Sequence, residues 1–392
     1  ISTIENELQF KNFKLSKRPD PEATSNAHDH YEISVPEFRL SGIDFVSAYN
    51  QNVLKMDSIQ IAHPIIQIIK RTKNPLQDST KNNLLDIAMI YNDYLKIDHF
   101  NLTDASLMFT DSTGHQPVRY SIDHISASMQ KLEIDTGKFS HGKYGVSFTN
   151  VGLMVKDYKM SLPDSVNTIQ FDEFSITSNP MELKLKGLNI LPKKASAPNL
   201  KGGKLYANIP YMVVSDFDVA KAINQDSFDI KEIYVEHPQI RYVPNKIDTA
   251  KQKNISPNGF FGLFRSVQSF SSYFSLDSFN LLDGQLLIEN TLNSMAPLAK
   301  LTSVNVKLGN VLVDSLTDID RDTFGDATLR LSSGPNEINL AEYAIQSGHL
   351  DFSSDNGRLA LQDIYIKNDS LKADPLVNLH LSEILLSGID PD

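Results

Sequence analysis

The chain has no cysteine among its 392 residues, which excludes disulfides, thiolate zinc sites and a cysteine nucleophile together. Cations are scarce as well. Against 48 Asp and Glu there are 37 Lys and Arg, a formal net charge of −11. The basic residues are scattered, so the clustered positive charge that phosphate binding requires is missing and nucleic acid is excluded as a partner. The basic pairs Lys17-Arg18 and Lys193-Lys194 read as solvated turns. No apolar run approaches the roughly 20 residues of a membrane-spanning helix; the densest, GFFGLF from Gly259, is far shorter. The chain begins at Ile1 without an initiator Met, so an anchor or signal supplied by a segment outside this sequence is expected.

Chemistry-bearing motifs are absent too. A P-loop, a dinucleotide fingerprint, a nucleophile elbow and an HExxH helix do not occur, so the sequence offers no catalytic residue and no cofactor site, and it does not read as an enzyme. The best metal candidate is His28-Asp29-His30, but the matching loop near Gly202 carries no ligand residue. Structural zinc needs four donors, and no metal site is assigned. Paired carboxylates for glycoside hydrolysis would need two acids facing one cleft, and nothing singles out two among Asp57, Asp98, Asp229 and Asp277.

What the chain does have is repetition, at a spacing of about 175 residues. SGIDFVSAYNQNVLKMDSIQIAHPIIQI from Ser41 matches SDFDVAKAINQDSFDIKEIYVEHPQIRY from Ser215, an offset of 215 − 41 = 174, with identities at Asp44/Asp218, Asn50/Asn224, His63/His237 and Pro64/Pro238. YLKIDHFNLTDASLMFTD from Tyr94 matches YFSLDSFNLLDGQLLIEN from Tyr273, an offset of 273 − 94 = 179. The pattern Leu8, Phe10, Phe13, Leu15 returns as Leu183, Leu185, Leu188, Ile190 and again as Leu359, Leu361, Ile364, Ile366, and SGID returns at Ser387. The expected organisation is repeat A over 1–182, repeat B over 183–358 and the start of repeat C over 359–392, within a longer array. His63 and His237 precede proline at the same place in each copy. A catalytic group is needed once, whereas a strand-ending turn is needed in every copy, so these histidines read as structural.

Apolar residues alternate with polar ones at a period of two, which predicts strands with one buried face. Many strands slip phase by one residue, as at Asp57-Ser58, Asp98-His99 and Asp277-Ser278; a bulge there would keep the apolar residues on both sides of the slip on one face. Alternation predicts antiparallel pairing, since a sheet covered on both faces would show continuous apolar runs. Helices are few. Ser41 with Asp44, and Ser215 with Asp218, have capping spacing for short helices over 42–50 and 216–224. Helical spacing predicts a second pair over about 80–93 and about 259–273, the first extending to Tyr94 and the second to Phe274. The fold expected is mainly β: a long, twisted antiparallel sheet curved into a groove, built from tandem repeats with a few short helices.

The strand phrase "x-I-x-x-I-x-I-x-x-P-x-I", here KMDSIQIAHPIIQI and DIKEIYVEHPQIRY, is followed by a helical insert and by LKIDHFNLTDASLMF or FSLDSFNLLDGQLLI. In these segments the chain resembles the AsmA-like family of Gram-negative envelope proteins, which includes the larger TamB-type members. The resemblance covers both repeats and transfers no catalytic group. It implies a periplasmic protein, membrane-anchored through a segment outside this sequence, whose apolar β-groove carries phospholipid acyl chains between membranes and whose ends meet envelope membrane proteins. The groove lining it implies is Leu54, Met56, Ile59, Ile61, Ile97, Phe100, Leu102, Phe109, Phe228, Ile230, Ile233, Val235, Leu276, Phe279, Leu281 and Ile288. The alternative is a structural or scaffolding module that binds other envelope proteins through loops and edge strands.

Overall fold

A computed structural model describes residues 6–16, 30–70, 93–112, 118–140, 143–161, 167–192, 204–217, 227–244, 273–290, 296–314, 327–340, 343–368 and 378–389. These residues are strand almost throughout, as the alternation predicts, with one α-helix and one 3-10 turn among them. They fall into two compact units, residues 1–160 with 173–180, and residues 161–172 with 181–392.

The first unit runs β1 (Leu8–Ser16), β2 (His30–Ser41), α1 (Phe45–Gln51), β3 (Val53–Ala62), β4 (Ile65–Lys70), β5 (Tyr94–Asp111), β6 (Val118–Ser140), β7 (Lys143–Ser147) and β8 (Asn150–Ser161). β9 (Asn167–Ser178) contributes residues to both units. β3 and β4 are two halves of one broken line: both lie antiparallel to β2 on one side and parallel to β5 on the other. β5 then pairs antiparallel with β6, and β6 with β7 and β8.

The second unit continues with β10 (Met181–Pro192), β11 (Lys204–Phe217), β12 (Ser227–Glu236), β13 (Gln239–Val243), β14 (Tyr273–Ile288), β15 (Ala299–Asp314), β16 (Thr328–Ser333), β17 (Asn336–Leu340), β18 (Tyr343–Ser347), β19 (His349–Ser353), β20 (Arg358–Asn368) and β21 (Asn378–Leu386). Here β12 and β13 form the broken line, antiparallel to β11 and parallel to β14. β14 pairs antiparallel with β15, and β15 with β16 and β17.

The expected all-antiparallel sheet is therefore corrected to a mixed one. Parallel neighbours need a connection of a dozen or more residues, and the sequence between Lys70 and Tyr94, and between Val243 and Tyr273, is longer than that. Alternation reports that a strand has one apolar face; it does not report the direction of its neighbour. The helix predicted over 42–50 starts later, at Phe45, because the cap is Asp44 and not Ser41. The Asp44 carboxylate accepts from the Ser47 N–H at 2.9 Å and from the Ser47 hydroxyl at 2.5 Å, and these bonds hold its pKa below the usual carboxylate value. Residues 216 and 217 of the second predicted short helix end β11, and its remainder lies outside the described residues. So do most of the two longer predicted helices; Tyr94, Tyr273 and Phe274, assigned to them, instead open β5 and β14.

The phase slips keep the flanking apolar residues together. Leu54 and Met56 before the Asp57-Ser58 slip pack in one cluster with Ile59 after it, and Ile97 packs with Phe100 across Asp98-His99. In the second unit Leu276 and Phe279, and Ile230 and Ile233, share a cluster across their slips. On the neighbouring strands at the same level, Lys131 and Asn310 hold left-handed backbone, φ 50° and 57°, which turns the strand so that its apolar side chains return to the same face. Full burial of each large aliphatic chain stabilises by about 1.5–3 kcal/mol.

The corner after β2 depends on Gly42, at φ +62°, where an added Cβ would lie 2.1 Å from the Asp57 carboxyl carbon. Gly42→Ala is expected to cost about 1–2 kcal/mol from the left-handed conformation alone, read as a lower midpoint in thermal unfolding. At the position 174 residues on, Asp216 holds the same conformation at φ 52°, which a short polar side chain tolerates.

Candidate functional site

Paired residues on adjacent strands project to the same face, so the registers can be followed across each unit. In the first unit one such line runs Phe10, Phe38, Ile61, Leu102, Ala127, Leu153 over six strands. A second runs two residues away: Leu8, Leu40, Ile59, Phe100, Met129, Val151. Every position in both lines is apolar.

The second unit carries a longer line, Leu185, Met212, Val235, Leu281, Val306, Leu331, Phe352, Leu359, Leu386, over nine strands. With strands about 4.8 Å apart, its eight intervals make a contour of about 38 Å. The opposite face at the adjacent register reads Lys184, Val213, Tyr234, Asn280, Lys307, Arg330, Ser353, Arg358. One face is hydrocarbon and the other is largely polar. A hollow of about 530 Å³ spans four of these strands, lined by Leu281, Val306, Leu331 and Phe352 together with Asn280, Lys307, Arg330 and Asp355. A second, of about 370 Å³, is lined by Lys300, Glu337, Gln346 and Tyr365 among others.

The residues predicted as lining distribute along these lines. Ile59, Ile61, Phe100, Leu102, Val235 and Leu281 are members, and Ile233 and Phe279 pair with each other on β12 and β14. Leu54, Met56 and Ile97 lie in the core cluster of the first unit, and Ile230 and Leu276 in that of the second. Phe228 pairs with Phe274, and Ile288 with Tyr242. Phe109 stands apart toward the far end of β5, its ring 6.1 Å from that of Tyr120. Of the sixteen, Met56, Ile97, Val235 and Leu276 are buried and the others half-buried. The lines also enlist Phe38, Met212, Val306, Leu331, Phe352 and Leu359. Alternation marks these as strand residues, but strand partnership is needed to align them.

A polar feature that sequence reasoning missed lies at the strand breaks. His63 and His237 hold left-handed backbone, φ 51° and 47°, and so do Asp104 and Asp283, φ 54° and 51°. The ring Nδ1 of His63 bonds Asp104 Oδ2 at 3.1 Å, and that of His237 bonds Asp283 Oδ2 at 3.0 Å. Asp104 also takes His124 Nδ1 at 2.7 Å. The break keeps its pairing to the neighbouring strand: the His63 N–H donates to the Thr103 carbonyl, and the Ser106 N–H to the Pro64 carbonyl. The expected turn role of His63 and His237 thus comes with a carboxylate partner. Among the described residues no group of three or more His, Asp or Glu is placed to hold a metal ion; His28 and Asp29 lie outside them.

No family model matches the chain, and no curated protein matches it. Among solved structures, "Crystal structure of Sex pheromone staph-cAM373 precursor" is similar at 10% identity with a TM-score of 0.13, covering 75% of this chain and 81% of that one. A likeness at that score carries no argument about fold or function.

Proposed function

We propose that the protein is a non-enzymatic component of a Gram-negative cell envelope, AsmA-like in kind, whose sheet holds phospholipid acyl chains on its apolar face. The observation that carries this reading is the nine-strand apolar line from Leu185 to Leu386, with a largely polar face behind it. Its contour of about 38 Å exceeds the roughly 15 Å of hydrocarbon in one leaflet. Each CH₂ removed from water adds about 0.8 kcal/mol, so such a surface holds a chain without specific polar contacts. In this reading the sheet curves into a groove and the chain is a tandem array. Support for the array comes from the left-handed residues at matching places, Asn12, Gly187 and Asp363, and Gly42, Asp216 and Gly388, and from a broken line lying parallel to a long strand in each unit.

The test is uptake. Protein stripped of lipid with detergent, then incubated with phosphatidylethanolamine vesicles, is expected to carry phospholipid into native mass spectrometry. Protein that emerges without lipid overturns the reading. The scaffolding alternative is favoured by one feature: β21, which pairs antiparallel with β20, exposes Leu379, Leu385 and Leu386, an apolar surface that another protein could cover.

A further inference from the structure

Three strands of the first unit are joined by one carboxylate. His63 stands at the break between β3 and β4, Asp104 on β5 and His124 on β6, all with left-handed backbone, φ 51°, 54° and 58°. Asp104 divides its oxygens, Oδ2 to His63 Nδ1 at 3.1 Å and Oδ1 to His124 Nδ1 at 2.7 Å. An ionised carboxylate only accepts, so both Nδ1 atoms donate. Beneath them the Asp104 N–H donates to the Ser126 hydroxyl at 3.2 Å. In the second unit His237, Asp283 and Ser303 hold the same left-handed backbone, φ 47°, 51° and 48°. There, however, a serine stands where His124 would be.

We propose that the His63–Asp104–His124 cluster is a pH-sensitive clasp, which stiffens the break between β3 and β4 and its attachment to β5 and β6 in mildly acidic solution and loosens it as the solution becomes alkaline. A charged imidazole strengthens its bond to the carboxylate, since charge-assisted hydrogen bonds are the stronger kind. The charged groups that raise the His124 value are anionic, Asp104 on β5, Asp123 on its own strand and Asp157 on β8, and the titratable His63 shares the Asp104 carboxylate through its other oxygen. On the β2 side Glu37 is engaged elsewhere, by Gln9 and Arg39.

The hydrogen bond to Asp104, and then the Asp104 charge, raise the His124 pKa above its ordinary 6.5. Its contribution is complete below 6.5 and is lost as the pH rises through the folded-state value. The bonds from His124 and then His63 lower the Asp104 pKa below its ordinary 3.8. That contribution is complete above 3.8 and is lost as the pH falls through the folded-state value. The clasp is therefore at full strength between 3.8 and 6.5. The side chains of His124 and Asp104 are 55% and 41% exposed, so the effect is modest.

The test uses the full chain. Ring-proton NMR should show His124 titrating above 6.5. Hydrogen exchange at the His63 and Ser106 amides, corrected for the intrinsic pH dependence, should be about two- to fivefold slower in mildly acidic than in mildly alkaline buffer. Asp104→Asn should lower the His124 value toward the ordinary one, since the largest of the groups that raise it is gone. His124→Ser, which copies the second unit, should remove the pH-dependent protection while leaving the circular dichroism spectrum unchanged. Titration of His124 at or below 6.5, or protection that keeps its pH dependence in His124→Ser, overturns the proposal.

Discussion

Leu281→Asp is expected to reduce phospholipid uptake at least tenfold. Leu281 is the fourth of the nine residues in the line, paired with Val235 on one side and Val306 on the other. A carboxylate there interrupts the hydrocarbon surface and must keep its water, so a lipid chain crossing it would leave an ion desolvated. The matched control is Lys307→Asp. Lys307 pairs with Asn280 and Arg330 on the opposite face, and the same carboxylate there should leave uptake unchanged. Native mass spectrometry of the two variants after vesicle incubation separates the faces. Equal loss in both would show that uptake follows net charge and not the apolar line. Leu281 is half-buried, so the thermal midpoint of the variant should be measured beside its lipid content.

Ile97→Ala is expected to destabilise the first unit by about 2–5 kcal/mol, the range for truncating a buried aliphatic side chain and leaving a cavity. Ile97 is 3% exposed and packs with Ile43, Met56, Leu95 and Ile134, with Phe100 and Leu132 against the same cluster. Ile97→Val should cost only about 0.5–1.5 kcal/mol. Urea denaturation followed by hydrogen exchange at β5 amides checks both, and near-equal midpoints for Ile97→Ala and the unmodified chain would contradict the packing described. Leu276, at 6% exposure, occupies the matching cluster of the second unit.

The strands were legible because alternation is a local property: Leu54, Met56, Ile59 and Ile61 announce one face in eight residues. Even the phase slips could be read, since two polar residues such as Asp57 and Ser58 between apolar pairs break the period of two, and a bulge restores it. Direction was not legible. Whether β5 runs with β3 or against it depends on the path between them, and nothing in the LKIDHFNL segment encodes that path. The apolar lines were legible only strand by strand. Joining Val306 to Leu331 and Phe352 requires knowing the register, and register emerges from pairing across the sheet.

The histidine pairs were half visible. His63 and His237 stood out because proline follows each, but their partners lie 41 and 46 residues away, and Asp104 looks like any polar residue in a strand. His124 carries no signal of its own in the sequence, because the position 179 residues on is Ser303.

The parallel pairings also bear on how the chain acquires its structure in time. Most neighbouring strands here are also consecutive in the chain and can zip together from a short turn. The β3–β5 and β12–β14 ladders cannot: their partners are 41 and 46 residues apart in register, as Val53 with Tyr94 and Ser227 with Tyr273. Closing such loops costs entropy before any contact rewards it, and non-local pairing slows folding. Each unit should therefore order its hairpins early and wait on a single crossover. Until that crossover closes, β3 and β4 in the first unit and β12 and β13 in the second present unpaired edges on the side that β5 and β14 will cover, and in that interval a newly made chain is most exposed to pairing with its neighbours.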